Sequence, residues 1–142
     1  MAAITRGNAQ VHPLTIALRA GVVGLTLATA AIHASLGGML FMANAAGYTV
    51  LAIAMVIPGP VGKWRWLIRL ALIGFTAATI GGWVAFGPRF GLAYLDKAIE
   101  VALIGVLLIE QWRSDGGPVG VYRRVRGLVG GVDAGTLARN AR

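Results

Sequence analysis

Hydrophobic residues in this sequence gather into four long runs, separated by short breaks that contain glycine, proline or charged residues. The runs cover residues 14–36, 39–57, 66–87 and 92–112. Each is close to the ~20 residues that an α-helix needs to cross the ~30 Å hydrocarbon layer of a bilayer. The pattern therefore predicts an all-α integral membrane protein, built as an antiparallel bundle of four transmembrane helices.

The breaks between the runs also predict the domain limits. The second run stops at the Pro-Gly-Pro sequence of residues 58–60, and the third stops at Pro88. Such residues interrupt helices because proline lacks a backbone donor and glycine adopts many conformations. We predict one transmembrane domain over residues 14–112, preceded by a cytoplasmic N-terminal segment, 1–13, and followed by a basic, Gly-rich cytoplasmic tail, 113–142.

Polar residues inside the runs recur at helical spacing, in alternating steps of about four and three residues. The resulting stripes are Thr15, Arg19, Thr26, Thr29 and His33 in the first run, Asn44 and Tyr48 in the second, Arg69, Thr76, Thr79 and Trp83 in the third, and Asp96, Glu100 and Glu110 in the fourth. Residues at this spacing share one helix face. Because a charged side chain exposed to lipid is costly, we expect all four polar faces to point into the bundle.

The first and third runs share residues at an offset of 50 positions, which suggests an internal duplication. The identical pairs are Arg19 and Arg69, Gly24 and Gly74, Thr26 and Thr76, Ala28 and Ala78, and Thr29 and Thr79. We interpret the chain as two copies of a two-helix hairpin, related as parallel repeats about an axis along the membrane normal. The alternative is a chance match between two helices rich in alanine and glycine.

Composition and charge fit this picture and narrow the partners. Charged residues make up 13% of the chain, against about 25% in soluble domains. The net charge of +8 is concentrated at the ends of the apolar runs and in the tail. Positive residues mark the cytoplasmic side of a membrane protein, so both termini are predicted to be cytoplasmic. We expect contact with anionic lipid, through Arg123, Arg124 and Arg126 of the tail, and no nucleic-acid partner.

The residue types exclude several chemistries and indicate a source. There is no cysteine, which excludes disulfides, thiol redox chemistry and cysteine-bound metals. The two histidines, His12 and His33, fall at different depths, so a bis-histidine haem is not expected. We predict no cofactor and no metal. The abundance of alanine, glycine and arginine is typical of a GC-rich bacterial genome, and therefore of a bacterial inner membrane.

Depth divides the intramembrane polar residues into two groups. The inner group, Arg19, Arg69 and Glu110, is predicted to form a structural charge cluster. The outer group is a candidate ion or ligand pocket and comprises His33, Asn44, Tyr48, Trp83, Asp96, Lys97 and Glu100. Ionisable residues at this depth are functional candidates by default. Four interpretations remain open: a proton or cation relay, a divalent metal bound by His33, Asp96 and Glu100, a small-ligand pocket, or charges that only neutralise one another.

No motif identifies a reaction, and nothing in the sequence favours an enzyme. Two small-residue patterns, Ala20-xxx-Gly24-xxx-Ala28 and Ala43-xxx-Gly47, favour close helix packing. The leading hypothesis is a non-enzymatic accessory or structural subunit, associated with other membrane subunits or with further copies of itself. The alternative is a small proton- or cation-coupled transporter that uses the outer histidine and carboxylates.

Overall fold

A computed structural model describes residues 13–127, apart from the side chains of residues 60 and 61. The regular secondary structure of the described chain is all helical: α1 (Pro13–Leu36), α2 (Met39–Val56), a 3-10 helix (Gly59–Trp64), α3 (Arg65–Phe86) and α4 (Gly91–Asp115). Residues 117–127 are helical again and are called the tail helix below. The N-terminal segment up to residue 12 and the tail beyond residue 127 lie outside the described residues. The prediction of an all-α chain is confirmed for the described part.

Glycines in the left-handed region set two of the helix boundaries. Gly37 and Gly38, with φ of 66° and 80°, turn the chain between α1 and α2. Gly116, with φ of 74°, ends α4. Such angles are easy only for glycine, because it has no Cβ. Helix α4 therefore ends at Asp115 rather than at the predicted residue 112, since helix continues through polar residues until this glycine stops it.

The four long helices pack in a ring in which neighbours along the chain are also neighbours in space. Helix α1 contacts α2 and α4 closely, and α3 contacts the same two helices more loosely. Between α2 and α3, the ring of Phe75 lies on Gly47, where an added Cβ would come within 2.7 Å of the ring carbon Cζ. One predicted small-residue pattern thus serves packing inside the bundle. The other does not, because Gly24 has no neighbour within 4 Å of an added Cβ.

The interior of the bundle combines an apolar core with many polar side chains, and its surface is largely apolar. Buried polar residues are Thr26, Thr29, His33, Arg69, Thr76, Asp96, Lys97, Glu100, Glu110 and Gln111. Large apolar side chains lie outside, for example Met39 at 91% and Phe86 at 93% exposure. Apolar patches of this extent are typical of a surface that contacts lipid. Helices α1 and α2 and the segment Gly62–Phe86 are each long and apolar enough to cross a membrane, which indicates a membrane location.

Candidate functional site

All four long helices contribute to a buried polar cluster near the end of the bundle that carries the α1–α2 and α3–α4 connections. We call it the outer cluster, and its members are Thr29, His33, Tyr48, Thr79, Asp96, Lys97 and Glu100. Every member except the partly buried Thr79 is buried. The helical stripes explain the convergence, because each places its polar residues on the inward face of its helix.

Glu100 is the centre of the outer cluster. Its Oε1 accepts hydrogen bonds from the hydroxyls of Tyr48 at 2.8 Å and Thr79 at 2.9 Å. Its Oε2 lies 2.5 Å from Nζ of Lys97. Buried carboxylates are tolerated when they are fully hydrogen-bonded and paired in this way. The Glu100 side chain is completely inaccessible to solvent.

Asp96 connects α4 to α1. Its Oδ1 accepts a hydrogen bond of 2.6 Å from Thr29, and its Oδ2 lies 2.9 Å from Nζ of Lys97. His33 adjoins it, with Nδ1 at 2.9 Å from the carbonyl oxygen of Thr29 and 3.5 Å from Oδ1 of Asp96. A carbonyl oxygen can only accept, so Nδ1 carries the hydrogen. In a neutral imidazole, Nε2 is then the acceptor.

The formal charges of the outer cluster do not cancel. With both carboxylates ionised and His33 neutral, two carboxylates face one ammonium group, which gives a formal net charge of −1 in a buried site. A further positive charge is favourable there, because opposite charge stabilises ionised carboxylates in a medium of low dielectric constant. His33, Asp96 and Glu100 offer ligand atoms within 4.8 Å of one another. The Lys97 ammonium contacts the same two carboxylates.

A cavity of about 400 Å³ lies above the outer cluster. Its polar floor is formed by His33, Asn44, Thr79, Asp96 and Lys97. Its walls are mainly aromatic and include Phe41, Phe75, Trp83, Phe86 and Phe90. This combination of an apolar cavity with a few convergent polar groups is the usual form of a small-molecule site.

Trp83 is held in place at the cavity wall. Its Nε1 donates a hydrogen bond of 2.9 Å to the carbonyl oxygen of Pro88. The guanidinium of Arg89 stacks 4.2 Å from its ring centre, and Tyr94 packs edge-on against it. The loop between α3 and α4 therefore fixes the Trp83 ring at the cavity wall.

The structure brings together all seven residues that the sequence placed in the outer group. Five line the cavity: His33, Asn44, Trp83, Asp96 and Lys97. Tyr48 and Glu100 lie in the hydrogen-bonded layer with Asp96 and Lys97. Sequence reasoning did not assign Thr29 and Thr79 to this site. Their positions on the polar stripes of α1 and α3 are the sequence signal that could have identified them.

The inner group also converges, and it contains a residue that the sequence analysis missed. Arg69 contacts Oε1 of Glu110 at 3.0 Å, and Arg19 lies 3.5 Å from the same oxygen. Asp115 completes the cluster at 2.7 Å from Arg69 and 2.9 Å from Arg124. The tail residue Arg124 thus has an ion-pair partner within the chain, although 47% of its side chain is exposed.

Comparison with known proteins assigns no family. No protein-family model matches this sequence, and no characterised protein or solved structure is significantly similar to it. The function is therefore inferred from the outer cluster, the cavity and the distribution of charge.

Proposed function

We propose that the chain crosses the membrane four times, with α4 as the fourth span. Helix α4 has 25 residues, which exceeds the ~20 needed to cross a bilayer. Its ionisable residues Asp96, Lys97, Glu100 and Glu110 are buried against the other helices. Its exposed side is apolar and includes Leu92, Leu95, Val101, Leu108 and Ile109. Average hydropathy therefore understates how apolar the lipid-facing surface of this helix is.

The proposed orientation has both termini in the cytoplasm of a bacterial cell, with the protein in the inner membrane. Lys63, which precedes α3, and Arg65, the first residue of α3, lie at the same end of the bundle as Arg113 and the tail helix. The α1–α2 and α3–α4 connections at the opposite end contain a single basic residue, Arg89. An excess of lysine and arginine marks the cytoplasmic end.

The pairing of equivalent residues supports the proposed duplication. The hydroxyl oxygens of Thr29 and Thr79, which match at the offset of 50 positions, both lie near Oε1 of Glu100, at 3.5 and 2.9 Å, although Thr29 donates its hydrogen to Asp96. The equivalent arginines of α1 and α3 likewise share one carboxylate oxygen at the inner end. Two related hairpins facing each other across a common axis produce this kind of sharing.

Within this bundle, the function that the geometry supports best is proton- or cation-coupled transport of a small molecule. One observation carries the proposal: a buried cluster with one net negative charge lies directly beneath an apolar cavity and draws its members from all four helices. A proton or cation that enters the cluster changes hydrogen bonds of every helix at once. Binding of the ion and packing around the cavity are therefore linked, which is the basis of coupling.

Reconstituted vesicles test this proposal. We expect an imposed ion gradient to change the internal pH of vesicles that contain the protein and a trapped pH-sensitive dye. Glu100→Gln should reduce the change to that of protein-free vesicles, because the amide keeps the shape and loses the charge. The matched control is Glu110→Gln, the same substitution on the same helix but in the inner cluster. Circular dichroism establishes that both variants are folded. Equal proton movement by wild type and Glu100→Gln would contradict the proposal.

A second candidate function, membership of a larger membrane complex or oligomer, is favoured by one observation. Gly24 and the small residues beside it present an open face of α1 that no part of the described chain covers. Such faces allow close approach of another transmembrane helix. Purification from the native membrane tests it: a stoichiometric partner lost on Gly24→Leu would support a subunit role, whereas a monomer would contradict it.

A further inference from the structure

We propose that the cavity above the outer cluster binds a neutral, apolar molecule that carries one hydroxyl group, such as an alkylphenol. The inference deepens the proposed function by naming a ligand class for the same site, and it rests on that function only for the link to transport. It is carried by the juxtaposition of aromatic walls with unused hydrogen-bonding groups on the cavity floor.

The walls determine the body of the ligand. A volume of about 400 Å³ falls within the ~300–1,000 Å³ typical of small-molecule sites. Aromatic and aliphatic side chains form most of the lining. Leu40 and Phe86 line the cavity and are also largely exposed on the apolar surface of the bundle. The cavity therefore communicates with the lipid-facing surface, which suits a ligand dissolved in the membrane.

The floor determines the polar group of the ligand. Nδ1 of His33 is used by the Thr29 carbonyl, which leaves Nε2 as an acceptor. The Lys97 ammonium has three hydrogens and contacts two carboxylates, which leaves one donor. The Asn44 amide lines the cavity and makes no side-chain hydrogen bond among residues 13–127. A hydroxyl matches this set, because it donates one hydrogen bond, here to His33, and accepts others.

Charge excludes the two ionic classes of ligand. An anionic head would add to the formal negative charge of the outer cluster, and the Lys97 ammonium at the cavity lining is already paired with two carboxylates. A cationic head would meet the Lys97 ammonium at the cavity lining, while the oxygens of Asp96 are already engaged by Thr29 and Lys97. A neutral hydroxyl avoids both penalties.

A series of ligands with one shared apolar body tests the class. We would measure binding of para-hexylphenol, hexylbenzene, para-hexylbenzoate and para-hexylbenzylamine to the full chain in detergent by titration calorimetry, with empty micelles as the blank. We expect the phenol to bind roughly tenfold more tightly than hexylbenzene, which corresponds to about one net hydrogen bond. Asn44→Leu should bring that ratio toward unity. Tightest binding of the benzoate or of the benzylamine would overturn the proposal.

Two adjacent glycines provide a matched pair of variants that locate the binding. Gly82 lines the cavity and Gly81 does not, and an added Cβ meets no atom within 4 Å at either position. Gly82→Leu should abolish phenol binding, and Gly81→Leu should leave it unchanged. Binding that survives Gly82→Leu lies elsewhere and overturns the proposal. The calorimetry is done without an ion gradient, so it tests ligand binding independently of transport. If the phenol binds but the protein moves no protons in vesicles, only the proposed coupling is refuted. If the protein moves protons but does not prefer the phenol, only the proposed ligand class is refuted.

Discussion

The balance of charge in the outer cluster makes an asymmetric prediction about Lys97 and Glu100. Lys97→Met removes the ammonium group that contacts Asp96 and Glu100 and leaves these two carboxylates buried in the outer cluster. Removing one partner of a buried pair typically destabilises a protein by ~3–5 kcal/mol, because the remaining charge is uncompensated. Glu100→Gln has the opposite effect on the sum of charges. It leaves Asp96 paired with Lys97 at 2.9 Å, so the site becomes neutral.

The loss for Glu100→Gln is therefore smaller and comes from weaker hydrogen bonds. The amide oxygen still accepts from Tyr48 and Thr79, but it accepts as a neutral group. We expect a cost of ~1–3 kcal/mol, the range for a hydrogen bond to a charged partner. The double variant has a single buried carboxylate, which is the same net charge as in the wild type. It should therefore be more stable than Lys97→Met alone, which requires a coupling energy larger than the ~1–3 kcal/mol cost of Glu100→Gln.

Reversible unfolding of the wild type, both single variants and the double variant in detergent micelles measures this coupling. Loss of helical circular dichroism gives the free energy of unfolding for each protein. The order expected, from most to least stable, is wild type, Glu100→Gln, the double variant and Lys97→Met. Additive losses would show that the two side chains do not interact. Greater stability of Lys97→Met than of Glu100→Gln would refute the charge accounting itself.

Further predictions concern packing, hydrogen bonding and topology. Gly47→Val should destabilise the bundle by ~1–3 kcal/mol, because it forces the Phe75 ring away from α2. Gly24→Ala should change the stability by less than about 0.5 kcal/mol. Thermal unfolding in detergent measures both variants. Thr29→Val should lower the free energy of unfolding by ~1–3 kcal/mol in the same assay, because the buried Asp96 carboxylate loses a hydrogen-bond donor. Thr76→Val should leave the stability nearly unchanged, because the Thr76 hydroxyl has no partner within the described chain. A cysteine placed at Lys63 should react with membrane-impermeant thiol reagents only after the cell is opened; labelling of intact cells would contradict the proposed orientation.

The fold was largely predictable because two periodic signals agree in this sequence. Apolar runs of membrane-spanning length gave the four helices, and their bounds differ from the structure mainly at the end of α4, where helix continues past the apolar residues. The 4-3 spacing of polar residues identified the inward faces. The structure places these residues on the inward faces, because polar side chains of a membrane helix are costly when they face lipid.

The site was less predictable because spacing within a helix says nothing about distances between helices. The sequence grouped residues by depth and so collected His33, Asp96, Lys97 and Glu100, but it did not show that Lys97 contacts both carboxylates. Asp115 was missed because it lies beyond the apolar run, and the polar stripe of α4 was followed only as far as Glu110. The cavity depends on how loosely α3 packs against α2 and α4, which no pattern along the chain reports.

Among the four long helices, α4 is the least apolar, and its polar residues are the ones that contact the other three helices. Helices in a bilayer gain little from burying apolar surface against one another, so packing and polar contacts hold them in place. Carboxylates of α4 receive hydrogen bonds from Thr29 of α1, Tyr48 of α2 and Thr79 of α3 at one end, and pair with arginines of α1 and α3 at the other. The same residues that lower the hydropathy of α4 therefore hold the bundle together. Because Asp96 and Glu100 both join the helices and lie beside the cavity, removing either carboxylate is expected to affect helix packing and the proposed ligand binding together.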